Sequence, residues 1–209
     1  MAESLHPEET VTTFVLLRHG HTQQTEQGKL YTDPGAMLTD KGRKQAEALA
    51  AWLPKERPDI LLSSTAERVR ASAELISREL GLEVELVAGL DEQHVGEWEG
   101  RSYLEIKKAE PDLYKAWTAD PIRNRPPGGE SIQDLFERVE RDMNNLIARH
   151  SGKRIALVTH AGVIRSTIIA ALGMPLDNFW RISVPTGSAS KIDYSFNFAT
   201  LQYMSLQPD

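Results

Sequence analysis

Thr12-Thr13-Phe14-Val15-Leu16-Leu17-Arg18-His19-Gly20-His21-Thr22 decides how the rest of this 209-residue chain is read. Its first half, β-branched and apolar, has the composition of a buried strand, and Gly20 breaks that strand where backbone can come close to a ligand. Arginine and histidine therefore stand together at the strand's carboxyl end, the edge on which open α/β sheets hold their ligands. Taken alone, His19 reads more readily as an ordinary polar residue closing a strand than as a nucleophile. Two further segments repeat the arrangement. Arg154-Ile155-Ala156-Leu157-Val158-Thr159 is followed by His160-Ala161-Gly162 and a helix through Ile164, Ile168, Ile169 and Leu172, while Asp59-Ile60-Leu61-Leu62-Ser63-Ser64 leads into a helix carrying Arg68 and Arg70. In a parallel sheet with right-handed crossovers, neighbouring strands open onto one edge, so these groups can converge although they are distant in sequence. Imidazoles and guanidinium forks beside helix N-termini suit a tetrahedral dianion such as a phosphoryl group.

Strand and helix signals alternate along the chain, the pattern of an α/β fold with a mostly parallel sheet between helical layers. Thr39-Asp40 can cap a helix through Ala46, Leu49 and Leu53, stopped by Pro54. Arg68 to Leu80 supplies another, closed by Gly81, and Glu83 to Val87 alternates like a strand. Ser131-Ile132-Gln133-Asp134 starts a long amphipathic helix whose stripe of Ile132, Leu135, Phe136, Val139, Met143, Leu146 and Ile147 is core. Lys191 to Tyr194 and Thr200 to Met204 read as two strands joined through Asn197 at the sheet edge. No repeat or linker divides the chain, so residues 1–209 read as one domain, with 1–10 a polar, mobile tail. Residues 101–127 differ, with aromatics, charges and Pro111, Pro121, Pro126 and Pro127; an insertion of this length between core elements is commonly a lid or substrate loop.

Five ordered motifs carry a resemblance: Arg18-His19-Gly20-x-Thr22, Ser63-Ser64-x-x-x-Arg68, Glu92 before Gly96-x-Trp98-Glu99-Gly100, Pro127-Gly128-Gly129-Glu130-Ser131, and Thr159-His160-x-Gly162. Together they resemble the histidine phosphatase superfamily, also called phosphoglycerate-mutase-like, over nearly the whole of Thr12 to Thr200. The resemblance implies a three-layer α/β/α sandwich and a metal-independent phosphomonoesterase acting on small phosphorylated metabolites, with no cofactor. It makes His19 the nucleophile, with Arg18, Arg68 and His160 around the transferring oxygens and His160 charged or donating there. Glu92 would protonate the leaving alcohol and then deprotonate the attacking water. Thr22 could add a hydroxyl and Ala161 a backbone N–H at a helix start.

The chain departs from the family around the pocket. Thr25 stands where many relatives have an asparagine, and Gly28-Lys29-Leu30-Tyr31-Thr32 where they often have a Gln-Gly pair, so Thr25 and Tyr31 are candidate substrate contacts that differ from those of the relatives. His21 and His94 could touch substrate or only line the rim. Arg123 and Arg125 could bind a second anionic group on the substrate or only solvate the lid. His6 in the tail and His150 near a helix C-terminus need no catalytic task. Two alternatives stay open beside the phosphatase: a phosphoglycerate mutase, and a module that binds phosphorylated ligands without turnover. Against the mutase, Gln93 to Gly100 reads as the phosphatase branch often does, and Asn124 separates Arg123 from Arg125 where mutases have adjacent arginines.

Composition narrows the function little. A formal net charge of -6 argues against a nucleic-acid binder, whose face would be basic. With 0 cysteines there is no disulfide frame, thiolate metal site or cysteine nucleophile, and no His-x-x-x-His pair supports zinc. No apolar run approaches the ~20 residues that cross a bilayer, and Met1 to Thr10 is too polar for a signal peptide, which gives a cytoplasmic protein as the expectation. Oligomeric state is open.

Overall fold

The computed structural model describes residues 10–31, 35–196 and 198–208. Thr32, Asn197 and all of the 1–10 tail except Thr10 lie outside the described residues. The opening stretch forms β1 (Thr12–Arg18), buried on both faces, which is why it reads as a nearly continuous apolar run. Its side chains alternate, Phe14 and Leu16 entering one core cluster and Val15 and Leu17 the other. Each of these fully buried apolar side chains contributes roughly 1.5–3 kcal/mol by leaving water.

Five more strands extend the sheet: β2 (Ile60–Ser63), β3 (Val84–Leu86), β4 (Arg154–Thr159), β5 (Ala189–Tyr194) and β6 (Ala199–Leu206), in the order β3-β2-β4-β1-β5-β6. The β3-β2, β2-β4 and β4-β1 pairings are parallel, whereas β5 and β6 add an antiparallel edge. The expected mostly parallel α/β sheet is thus observed, and the two C-terminal strands complete one edge. Helices α2 (Asp40–Trp52) and α3 (Glu67–Leu80) cover the face that carries Val15, Leu17, Ala156 and Val158. Helices α6 (Ile132–Arg149) and α7 (Ala161–Ala171) cover the face of Phe14, Leu16, Ile155 and Leu157. Among the described residues no helix is long and apolar enough to cross a membrane.

The helix boundaries follow the expected chemistry. The Thr39 hydroxyl accepts from Gly42 N at 3.2 Å at the start of α2. Ser131 and Asp134 close a reciprocal capping box at the start of α6, and Gly81 ends α3 with φ 68°. The α-helix ends at Trp52, just before the expected Leu53, and Leu53–Glu56 continue as a 3-10 turn with the proline near its start, where its missing N–H costs nothing.

Residues 101–127 hold two short helices, α4 (Tyr103–Ala109) and α5 (Pro111–Ala119), packed on an apolar cluster separate from both sheet faces. Trp98 meets Trp117 edge-on at 5.3 Å, and Tyr103 stacks on Trp117 at 5.3 Å. Leu30 ties this segment to the pocket side: its N–H donates to Arg101 O at 2.9 Å and its carbonyl accepts from Gly100 N at 2.8 Å.

Gly20 has a different task from the ligand approach expected of it. A Cβ there would lie 2.1 Å from Gly42 O, and a Cβ on Gly42 would lie 2.0 Å from His21 O, so the backbone after β1 and the first turn of α2 are in direct contact. Gly42→Ala should therefore cost about 1–3 kcal/mol in urea unfolding, as overpacked sites do, and lower turnover by displacing His19. The exposed neighbour substitution Lys41→Ala should alter neither. Equal stability of Gly42→Ala and the parent would show that the contact has slack.

Candidate active site

Three adjacent strands, β2, β4 and β1, end at one level. Arg18 lies opposite Thr159 and Ser63 opposite Val158, and the chain leaving each strand stays bonded to its neighbour: His19 N donates to Thr159 O and Ser64 N to Val158 O, both at 3.1 Å. This register brings His19, Ser64 and His160 together, and α3 adds Arg68 from the side. The two imidazole rings stand 5.4 Å apart, edge to face. Convergence at the carboxyl edge was expected from the sequence, and the structure supplies it through the neighbour order β2-β4-β1.

His19 Nδ1 lies 2.7 Å from Gly20 O. A carbonyl can only accept, so Nδ1 carries the proton and Nε2 carries the lone pair. Burial, and then the charges of Arg18 and Arg68, push this imidazole well below its ordinary pKa and keep it neutral. His160 is held equally by its neighbours. Arg68 Nη2 donates to its Nδ1 at 3.2 Å, and its Nε2–H donates to Ser64 Oγ at 2.7 Å. Burial, then Arg68 and His19, push His160 well below its ordinary range. Of the two states that the resemblance implied, charged or donating, this geometry holds the neutral donor. Protonating Nδ1 would oppose Arg68 and requires an anion between them.

The cations are fixed as firmly. Arg18 Nη1 donates to Val184 O at 2.5 Å, while its Nε is buried without a partner. The buried Arg68 guanidinium lies 4.4 Å over the Tyr31 ring. Thr22, Thr25 and Tyr31 form a closed hydroxyl triangle, with Oγ1 and OH atoms 2.8 to 2.9 Å apart. These three hydroxyls satisfy one another, and the triangle holds the ring beneath Arg68. Ala161 is the buried first residue of α7, directly after His160.

Other candidates stand apart. His21 is bonded through Nδ1 to Thr39 Oγ1 at 2.9 Å, and His94 is exposed. Arg123 pairs with Asp120 at 3.0 Å, and Arg125 grips Asp134 through two bonds of 2.5 and 2.7 Å. Both arginines have side chains 64% exposed, line no wall of the cleft beside Arg18 and Glu92, and are paired in this structure with Asp120 and Asp134.

Glu92 lines the same cleft as Arg18, from the loop after β3. Its Oε2 accepts from Gly162 N at 3.3 Å, and a Cβ on Gly162 would lie 2.2 Å from its Oε1, so only glycine leaves room for the carboxylate. The neighbouring acid Asp91 is committed elsewhere, accepting from Thr65 N at 2.7 Å and Thr65 Oγ1 at 2.5 Å. Arg138 of α6 braces this loop: it donates to the carbonyls of Gly89 at 2.8 Å, Asp91 at 3.1 Å and Glu92 at 3.3 Å while pairing with Glu130. Glu130 in turn accepts from His94 N at 3.0 Å. Sequence reading missed Arg138, which is one charge among many on an amphipathic helix.

A cleft of about 190 Å³ opens beside Arg18 and Glu92. Its outer walls include Lys29, Tyr103, Arg165, Phe179 and Trp180, none of them expected from sequence. Arg165 did leave a signal, being the sole charged side chain in the eleven residues of α7. Among the described residues, no three histidine, aspartate or glutamate side chains are grouped as a metal ion's ligands would be.

Comparison with known proteins agrees with this constellation. The profile of the histidine phosphatase superfamily (branch 1) matches residues 14–206. The chain is similar to the adenosylcobalamin/alpha-ribazole phosphatase of Escherichia coli K12, with 32% identity over 190 residues covering 91% of this chain and 94% of that protein. It is also similar to the glucosyl-3-phosphoglycerate phosphatase of Mycolicibacterium vanbaalenii, 35% identical over 191 residues, covering 86% of this chain and 82% of the relative. The crystal structure of the alpha-ribazole phosphatase from Shigella flexneri superposes with a TM-score of 0.86 at 31% identity, covering 94% of this chain and 97% of that one.

The two depressed imidazoles set a pH dependence of stability. The unfolded chain, with ordinary histidines, takes up protons near pH 6.5 that the folded site refuses. Stability should be full above about pH 7.5 and fall as the pH drops through 6.5, by about 1.4 kcal/mol per pH unit for each histidine at the steepest, until the folded ring also titrates. Urea unfolding at pH 7.5 and 5.5 should show this loss, and a smaller one in His160→Gln. An unchanged slope in that variant would contradict a neutral His160.

Proposed function

The chain belongs to the histidine phosphatase superfamily, and from that premise we propose that it hydrolyses small phosphate monoesters through a phosphohistidine on His19, without a metal ion. The observation that carries this reading is the His19 Nδ1–H bond to Gly20 O, which leaves a neutral Nε2 lone pair beside the buried guanidinium of Arg68 and the half-buried one of Arg18. The relatives are named as phosphatases for two different small molecules, alpha-ribazole and glucosyl-3-phosphoglycerate, so the shared feature is the phosphate ester rather than the alcohol.

In the first half-reaction Nε2 attacks phosphorus, the P–O bond to the alcohol breaks, and Glu92 gives its proton to the departing oxygen. Arg18 and Arg68 neutralise the equatorial oxygens, where the transition state spreads its charge. In the second, Glu92 takes a proton from water, the hydroxide attacks phosphorus, and the P–N bond breaks to return neutral His19 and inorganic phosphate. Water is the acceptor because the arginine pair that would grip a reorienting phosphoglycerate is absent from the cleft: Arg123 and Arg125 are held by Asp120 and Asp134. The complete set of histidines, arginines and acid favours turnover over mere binding. Residues 101–127 contribute Tyr103 to the cleft wall and act as its cap.

Phosphate release from p-nitrophenyl phosphate and a panel of alkyl phosphates tests the activity, and EDTA should leave it intact. His19→Ala should abolish turnover and with it an acid-labile phosphoryl adduct trapped on the parent protein; retained activity in that variant would end the mechanism. Glu92→Gln should slow alkyl phosphates about 10²–10⁴-fold, the usual worth of a general acid, while sparing phosphohistidine formation from aryl phosphates, whose leaving groups scarcely need a proton. Equal damage to both substrate types would take the acid role from Glu92.

A further inference from the structure

We propose that Arg165 is the specificity-determining residue of this site and that it binds a carboxylate, or a similar second anion, on the alcohol side of the phosphate ester. The proposal rests on the phosphatase reading above and names the substrate class within it. Arg165 lines the cleft together with Glu92 and Gly162, on the side from which the leaving oxygen is protonated. Its position is fixed: Nε donates to Ile182 O at 2.9 Å, and the guanidinium lies 5.4 Å from the Phe179 ring and 5.5 Å from the Trp180 ring. Among the described residues neither terminal nitrogen has a hydrogen-bond acceptor, and no carboxylate lies within ion-pair distance. A planar fork of donors, held rigid by stacking and aimed into a cleft, matches a carboxylate.

Charge balance strengthens the argument. Arg165 shares the cleft wall with Glu92, whose negative charge offsets it, and with Arg18, which repels it. Before its proton passes to the leaving oxygen, Glu92 is neutral and does not offset Arg165, while the phosphoryl group is taken by Arg18 and Arg68. A half-buried guanidinium would then face the leaving group without a counter-ion, and a carboxylate on that group supplies one. Lys29 on the cleft wall adds a second cation, and Tyr103, its pKa raised to about 12 by burial, stays a neutral donor. Trp180 bounds the same wall, so a neutral flat leaving group is the competing occupant that the experiment must separate.

The test compares matched esters that differ in the carboxylate: 2-phosphoglycolate against ethyl phosphate, and 3-phosphoglycerate against glycerol 3-phosphate. The parent protein should favour the carboxylate member of at least one pair tenfold or more in kcat/KM. Arg165→Met should collapse that ratio toward one, and Arg165→Lys should restore part of it. Should Arg165→Met fail to fold, a measurement on the parent suffices: glycolate or D-glycerate should compete with p-nitrophenyl phosphate at concentrations where ethylene glycol and glycerol do not. Hydrolysis of p-nitrophenyl phosphate with no carboxylate preference in either pair, or a ratio that survives Arg165→Met, overturns the Arg165 assignment and leaves the phosphatase reading standing. Hydrolysis of none of these esters overturns both.

Discussion

An imidazole can attack phosphorus only if it is neutral and presents the correct nitrogen, and the single bond from His19 Nδ1 to Gly20 O satisfies the second condition while burial satisfies the first. Much of the surrounding structure serves that bond. Gly20 can offer its carbonyl at the right angle because its backbone is pressed against Gly42, and Gly42 can be there because Thr39 caps α2 at that turn. Arg18 and Arg68, to which the proposed mechanism gives the phosphoryl oxygens, also repel a proton from His19, so on that reading one pair of charges prepares the nucleophile and receives its target. The arrangement costs stability in acid and gains a base-ready nucleophile at neutral pH.

How much of this was legible depended on whether a residue's task is set locally. β1 could be read because burial on both faces demands a near-continuous apolar run, and α6 because Ser131 and Asp134 form their cap within four residues. His19, His160 and Arg68 could be placed together because strand ends in a parallel sheet share an edge, and the observed order β2-β4-β1 is what that expectation required. Arg123 and Arg125 were harder to read, although their partners are local. Their charges suggested a ligand, yet Asp120 lies three residues before one and Asp134 nine after the other, and both acids take them as partners.

Arg165 and Arg138 were opaque because their partners arrive from distant segments. Phe179 and Trp180 reach Arg165 only after the chain returns past α7, and Arg138 meets carbonyls of the Gly89–Glu92 loop some forty-six to forty-nine residues upstream. Nothing in the spacing of either residue predicts such meetings. The hydroxyl triangle of Thr22, Thr25 and Tyr31 lies between these cases: the residues were singled out individually, but their mutual satisfaction depends on the turn after α1 (Gln23–Glu26) bringing Tyr31 back to Thr22.

The brace on Glu92 divides the site mechanically. His19 and His160 are extensions of adjacent sheet strands, and relative motion between them would break the ladder that joins β1 to β4. Glu92 is held instead between two helices, by Arg138 of α6 on its carbonyl and by Gly162 N of α7 on its carboxylate, and α6 is gripped at its first turn by Arg125 from the segment that carries α4 and α5. A displacement of that segment therefore reaches Glu92, the proposed proton donor, along α6, whereas His19 is held by the sheet. On the proposed mechanism, a substitution that reshapes this segment for a new alcohol reaches the acid before it reaches the in-line geometry at phosphorus. Substrate range and proton timing are then tied together in this frame, and the nucleophile is independent of both.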